Sequence, residues 1–546
     1  MSEEEIPLFE RKATGLVREI GPLGLMTITM SYAIGGGINF LSVKNGALYP
    51  GSHVGLAFLL AGIPVVLVAF AYAMLAIMMP RSGGSYIFVS RLISPTWGFL
   101  ASWVSFLGGW MLVGIIAYYD VFFWGTMLWC VGEAFHSKGI ADLGIWLMEP
   151  VNSLWLGIIF LIIALIVVSL RIGIVVRIIQ ALWIIPLIGS ICMISTYGLN
   201  LGLAANNPAK FKEIWDGVMG AGSYDEVMNV AIANGFDSKT WTTFSWDQTW
   251  AVASYAAIWA YGSPATPPTA VAGEVAVPTK SQLIGTVLGT FFIAMYYVLV
   301  STAMYAACDP FIRAYTYNYV YGYWDSYTIT PKVTPSLPLF AGILTRNLGL
   351  AAFYAASAAI WLWNDIPPFF LYLTRFIFAW AFDRTFPSIF ATVHPTLRSP
   401  LYANILVFIL SVLACIMTWG WWIYGIFTLL DNVACLAWIF PDMFVALAAA
   451  VAPLVRPDIY KETPVATWTI LGIPWISIFG TLAFFGIGLF VFLVAATIAP
   501  GGIVTADIIL FVGWLFLGLI IALAHWGYAQ KKGIPVSEIF RTLPPA

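Results

Sequence analysis

The sequence predicts an all-α membrane protein of twelve transmembrane helices. They are expected as two inverted five-helix repeats (spans 1–5 and 6–10) with discontinuous helices 1 and 6, followed by spans 11 and 12. Three observations point there. Hydrophobic residues make up 61% of the 546 and charged residues 9%, whereas a soluble globule carries about 25% charge. Apolar segments long enough to cross a hydrocarbon core of about 30 Å recur from end to end. Two of those segments, the first and the sixth, contain clusters of residues that interrupt helices.

In chain order, residues 1–19 are charged and mixed in sign, with no apolar core or cleavage site of a signal peptide. They are expected as a cytoplasmic tail. Spans at 20–42, 54–79, 96–129, 151–170 and 174–204 make the first repeat, 20–204. The polar, acidic stretch 205–247 is expected as an extracellular loop. Spans at 248–272, 283–308, 349–382, 401–420 and 424–453 make the second repeat, 248–453, with a tyrosine-rich extracellular loop at 309–335. Spans at 469–497 and 506–530 lie within 454–530, and 531–546 is expected as a second cytoplasmic tail. The orientation follows from the excess of Lys and Arg in cytoplasmic segments. With both termini inside, 16 of the 24 basic residues fall on the cytoplasmic side.

Net charge is −2, so nothing suggests nucleic acid as a partner. Cys130, Cys192, Cys308, Cys415 and Cys435 are scattered, without CxxC or metal-ligand spacing. They are expected to pack as small apolar residues, and the alternative is an outward-facing Cys130 or Cys308 bonded to a partner. No metal site and no cofactor is expected.

The first break is "SYAIGGGINF" (31–40), with three consecutive glycines inside an apolar run. Glycine costs a helix about 1 kcal/mol relative to alanine. The second is "WAYGSPATPPTAVAGEVAVP" (259–278), where Gly262, Pro264, Pro267 and Pro268 stand together; proline removes a donor and clashes with the preceding turn. Spans 1 and 6 open two successive groups of five. That is the pattern of a transporter built from inverted repeats, with substrate bound where the breaks meet. Unwinding frees N–H groups at one half-helix end and C=O groups at the other, suited to anionic and cationic groups respectively. Glycines in membrane helices also serve close packing, but two breaks at corresponding positions favour a site.

Four segments carry a resemblance to a known family. "AIGGGIN" (33–39) resembles the pattern G-S-G-I-F in span 1 of the amino acid–polyamine–organocation permeases, of LeuT-type fold. "MPRSGGSYIFVSRLISPTWGFLASW" (79–103) is similar to that family's cytoplasmic loop and entry to span 3. "TRFIFAWAFDRTFPSIFATVHPTLRSP" (374–400) resembles the passage from span 8 to span 9, and "VRPDIYK" (455–461) the basic loop after span 10. The match runs through residues 20–460. It implies a binding site shared by spans 1, 3, 6 and 8. The amides of Gly36 and Gly37, next to Gly35, take a substrate carboxylate. Carbonyls near Ala33 and Ile34, with those of Trp259, Tyr261 and Gly262 beside Ser263, take the amino group. Trp259 and Phe369 match aromatic gates, and Gly108 and Gly109 match positions on the span-3 wall. Two departures stand out: Gly36 replaces a common serine, and the glutamate some members carry after the span-6 break is absent.

For ion coupling the candidates are Asp365 and Asn364 in "WLWNDIPPFF" (361–370), because an intramembrane charge is costly and marks function. Asp365 falls where a small polar residue usually faces the span-1 break. Pro186 stands where some proton-coupled members have a span-5 lysine. Asp365 is expected to bind H⁺, or Na⁺ as the weaker option, and the alternative is an aspartate capping the backbone near Pro367 and Pro368. Asp120, Asp431 and Glu274 are expected near span ends in solvated or structural roles; Asp442 is the second coupling candidate.

The sequence therefore predicts a secondary active transporter that imports amino acids by alternating access, coupled to protons, in the plasma membrane. With pocket walls of glycine and aromatics and no charged partner, neutral, apolar or aromatic substrates are expected. Polyamines, other organic amines or nucleobases are the alternative cargo, and a transporter-like sensor without flux is the rival that would keep the pocket. The four histidines show no HExxH and the chain no GxSxG, so no enzymatic constellation is visible. A channel would want a continuous polar stripe or charged rings.

Overall fold

The computed structural model describes residues 15–424, 430–497, 505–531, 533 and 536–544. Among the described residues helices occur, in order, in each stretch expected as a span, but 469–474 of the eleventh forms a short hairpin, Thr469–Ile470 with Ile473–Pro474, before its helix starts at Trp475. Among the described residues, eight helices are long and apolar enough to cross a membrane without interruption. They are spans 2, 3, 4, 5, 7, 9, 11 and 12. The expected count of twelve differs from eight for a physical reason. Span 1 is divided into Pro22–Ala33 and a π-helical turn Gly37–Leu41 that continues as Ser42–Leu48. Span 6 stops at Tyr261 and resumes at Thr266–Ala270. Span 8 is divided at Asp365 into Leu348–Asn364 and Ile366–Phe382, a division the sequence reading lacked. The described apolar stretch of span 10 is Ile439–Val455.

Exposure sorts the helices into an inner and an outer set. Span 3, Pro95–Ala134, runs through the centre, and 94% of its most apolar window is buried, against 11% for span 12. Spans 4, 5, 11 and 12 turn residues such as Trp155, Ile166, Ile191 and Phe516 outward. Large apolar side chains covering a whole face in this way are what a lipid-facing surface requires.

The stretch 205–247, expected as an extracellular loop capping the outer mouth, is largely helical. It forms the short helices Pro208–Met219, Ser223–Ala233 and Ser238–Thr242. The tyrosine-rich 309–335 likewise holds a helix, Phe311–Val320. The two stretches pack into a cap with its own aromatic core, in which Trp215 lies 4.5 Å from Phe311 and 5.3 Å from Tyr315. Arg313 ties this cap to the end of span 1. Its guanidinium donates to Gly46 O at 2.8 Å and Ser52 O at 2.9 Å, and it pairs with Asp309.

Glu226 locks the two halves of the cap together. Its carboxylate accepts from Thr328 N at 2.6 Å, Thr328 Oγ1 at 2.7 Å, Ile329 N at 3.1 Å and Thr330 N at 2.7 Å. Partial burial pushes this carboxyl up, but the hydrogen bonds outweigh it and bring its pKa down to about 2. A carboxyl depressed in the folded state stabilises above its ordinary pKa of 4.5 and loses that contribution as pH falls toward 2. Amide exchange at Thr328–Thr330, corrected for intrinsic rate, is therefore expected to speed up from pH 5 to pH 3 in the native chain. Glu226→Gln should be fast at both pH values; equal protection of the native chain across this window would contradict the assignment.

On the opposite face spans 1, 6 and 8 are tied together. Glu19 N and Ile20 N donate to Glu274 O at 2.9 and 3.0 Å, and Ala276 N donates to Ile20 O at 3.1 Å. The Glu274 carboxylate receives both arms of Arg375 of span 8, at 2.9 and 2.8 Å, with the two side chains 0% and 2% exposed. Arg91 and Asp383 form a second fully buried pair on this face, at 2.6 Å.

Cys130, Cys308 and Cys415 are buried and Cys192 half-buried, and all four are free. Burial removes the alternative of an outward Cys130 or Cys308. The side chains of Cys435 and Asp431 lie outside the described residues.

Candidate functional site

The two backbone breaks are built differently. In span 1 the helix ends at Ala33, and Ile34 is extended, with φ −84° and ψ 98°. Asn39 Nδ2 donates back to Gly35 O at 2.9 Å, bridging the gap by side chain. In span 6 Gly262 takes φ 57° and ψ −140°, a conformation that favours glycine. Pro267 and Pro268 do not sit in this break as expected. They open the resumed helix Thr266–Ala270, where a missing N–H does no harm.

The breaks meet. A β-carbon on Gly37 would stand 2.7 Å from Ala260 Cβ and 2.8 Å from Ala260 Cα, so this position must be glycine for the two segments to touch. Tyr297 of span 7 staples the pair. Its hydroxyl lies 2.5 Å from Ala33 O and 3.0 Å from Ala260 O. Its proton can serve one carbonyl at a time. Nothing in the sequence around "AMYYVLV" marked this residue, because its role exists only when spans 1, 6 and 7 assemble. Tyr297→Phe is expected to lower stability by about 1–2 kcal/mol, the usual loss on leaving buried acceptors unserved. A thermal-denaturation midpoint equal to that of the native chain would count against the staple.

Around the breaks lies a cavity of about 300 Å³. Of the residues singled out from the sequence, Ala33, Gly35, Gly36, Gly37, Trp259, Tyr261, Gly262, Phe369 and Asp365 line it. Phe369 is held by Tyr32, ring centroids 4.5 Å apart. Ile34, Gly108, Gly109, Ser263 and Asn364 do not line it. The span-3 wall lies further along the helix, at Leu112, Ile115, Ile116, Tyr119, Asp120 and Phe123. Gly109 instead lets Tyr372 approach, since a β-carbon there would be 2.1 Å from its hydroxyl. Ser263 donates to Asp442 Oδ1 at 2.8 Å, which also accepts from the Tyr72 hydroxyl at 2.9 Å. Asn364 turns to neighbouring helices, donating to Ser31 Oγ at 2.8 Å and Ile179 O at 3.3 Å.

The acidic residues need correction. Asp120 is not at a solvated span end. It is 1% exposed, lines the cavity, and neither of its carboxylate oxygens meets a hydrogen-bond donor among the described residues. Asp365 is 5% exposed and lines the same cavity. Its side chain makes no cap to the helix that follows, and its Oδ1 lacks a donor among the described residues. The capping alternative is thus not what the side chain does. Among the described residues no Lys, Arg or His lines the cavity. The expectation of a neutral cargo is drawn with Asp365 assigned to coupling; Asp120 is a second acidic side chain on the same walls. Glu274, by contrast, has the structural role expected of it.

Two interrupted helices that meet at a buried cavity, set among long apolar helices, define a multi-pass membrane transporter of LeuT-type fold. A sequence model of the amino acid permease family matches residues 20–523, and the chain belongs to that family, one of transporters and not of enzymes. Among curated relatives, the human Asc-type amino acid transporter 1 is 39% identical over 95 residues, covering 17% of this chain and 18% of that protein. The serine/threonine exchanger SteT of Bacillus subtilis is 32% identical over 125 residues, covering 21% and 28%. These matches thus span under a third of either relative. The crystal structure of MhsT in complex with L-phenylalanine aligns with 87% of this chain and 99% of that one, with a TM-score of 0.56 and 12% identity. That likeness is one of fold.

Proposed function

We propose that this permease imports amino acids by alternating access, binding the α-amino and α-carboxyl groups through the backbone at the two breaks. The observation that carries this reading is the contact of Gly37 with Ala260 beside the cavity. In this reading freed N–H groups of one segment and carbonyls of the other serve the same small volume, which suits a zwitterion. The names of the curated relatives, amino acid transporters and an exchanger, support the same class of cargo. We place the chain in the plasma membrane with both termini cytoplasmic, an orientation that the distribution of Lys and Arg supports.

Asp365 is the group we assign to coupling, with H⁺ as the ion and Na⁺ as the alternative. Its burial against Gly35, whose β-carbon would lie 3.1 Å from Oδ2, supports this role. Uptake of radiolabelled amino acids into proteoliposomes tests the whole reading. Accumulation is expected to follow an imposed pH gradient, and Asp365→Asn is expected to reduce transport to equilibration. Accumulation unchanged in that variant would remove the coupling assignment. Binding without any flux would make the chain a sensor.

A further inference from the structure

The stretch 531–546 is expected from the sequence as a tail, but 536–544 packs down on the face that carries Glu274 and Arg375. A helical turn, Val536–Ile539, leads into Phe540, which is 6% exposed. The Phe540 ring lies 5.0 Å from the Arg91 guanidinium and 6.3 Å from the Trp526 ring of span 12. Leu543 packs on the main core, and Pro544 O accepts from Arg81 Nε. Pro544 also shares a crevice with Ile87 and with Phe378, Ala379 and Phe382 of span 8.

The partners of this segment belong to the elements that hold the face shut. Arg91 pairs with Asp383, which follows the half-helix Ile366–Phe382 that begins at Asp365. Arg81 stands on the loop whose Gly83 N donates to Ala270 O at 2.9 Å. A β-carbon on Gly273 would lie 2.6 Å from Ser82 Oγ of the same loop. That loop therefore rests on the resumed half of span 6, Thr266–Ala270, and on the turn after it. The segment thus bridges a loop seated on span 6 to the end of span 8 and to span 12. Release of a substrate through this face needs spans 6 and 8 to part here.

We infer that 536–544 is a built-in brake, docked so that spans 6 and 8 cannot part on this face until it lifts. The inference rests on the proposed alternating access at the two breaks. Contacts made in one state and lost in the other weight the equilibrium toward the first. Phe540 suits that role: it buries a large apolar ring and offers its face to a cation, and it takes no part in lining the cavity.

Initial uptake of a radiolabelled mixture of the standard amino acids by the full chain in proteoliposomes tests it, together with hydrogen exchange at residues 538–543. Phe540→Ala takes the ring away from Arg91 and Trp526, and is expected to raise the initial rate about threefold or more. Phe540→Tyr keeps a ring there and is expected to stay within about twofold of the native rate. An unchanged or lower rate in a folded Phe540→Ala, beside measurable native uptake, would overturn the brake and spare the proposed transport. Should Phe540→Ala fail to fold, the native chain decides. Its amides at 538–543 are expected to exchange about threefold faster with the mixture on both sides of the membrane than without it. Equal exchange would overturn the inference. No uptake by either folded chain would count against the transport reading itself, on which the brake rests.

Discussion

Gly37→Leu is expected to abolish substrate binding while the chain remains inserted and helical. At this position even a single β-carbon would overlap Ala260, at 2.7 Å from its Cβ and 2.8 Å from its backbone Cα. A backbone neighbour cannot turn aside as a flexible side chain can. Span 1 would have to move away from span 6, and the half-helix ends that face the cavity would separate. Overpacking of this kind costs about 1–3 kcal/mol, so Gly37→Ala alone should weaken binding about tenfold or more. Gly36→Ala is the control. A β-carbon there meets Phe123 at 3.5 Å and Leu362 at 3.6 Å, ordinary contacts. A much smaller loss is expected. If the two alanine variants bind alike, the close approach of the segments does not shape the site.

Arg375→Ala is expected to lower stability by about 3–5 kcal/mol, the usual consequence of stranding one member of a buried ion pair. Glu274, 0% exposed, would lose both hydrogen bonds from the guanidinium with no access to water to replace them. The effect should reach function, because the Glu274 backbone carbonyl also receives Glu19 N and Ile20 N. One residue thus links the end of span 6 to spans 1 and 8. Replacing both partners by apolar residues of similar size, Arg375→Met with Glu274→Leu, should recover much of the loss. The measurement is the thermal midpoint of the purified chain. Equal midpoints for native and Arg375→Ala would show that the pair contributes nothing.

Both predictions concern places where sequence and structure met in different ways. The breaks at 34–36 and 262–265 were legible because glycine and proline act locally: what they do to a helix depends little on the surroundings. Asp365 was legible for a similar reason, as a charge in an apolar run. Asp120 was also visible as a charge, but its distance from the end of its span misled. The helix Pro95–Ala134 extends further than its apolar run, which places Asp120 deeper than a span ending at 129 would. Tyr297, Ala260 and the pairing of Glu274 with Arg375 carried no local signal at all, since each acts across 37 or more residues of chain.

The sequence by itself determined the membrane class, the positions of the broken helices and the presence of intramembrane charge, because composition and backbone propensity are properties of short stretches. The tertiary structure alone decided which charges share a cavity and which wall of span 3 faces it. It also decided that Gly109 and Ser263 serve packing and a buried Asp442 network, away from the cavity. The physical reason is that these outcomes depend on how helices rotate against each other. In a chain whose helices are apolar on every face, the pattern of residues leaves that rotation open, and packing and buried hydrogen bonds settle it.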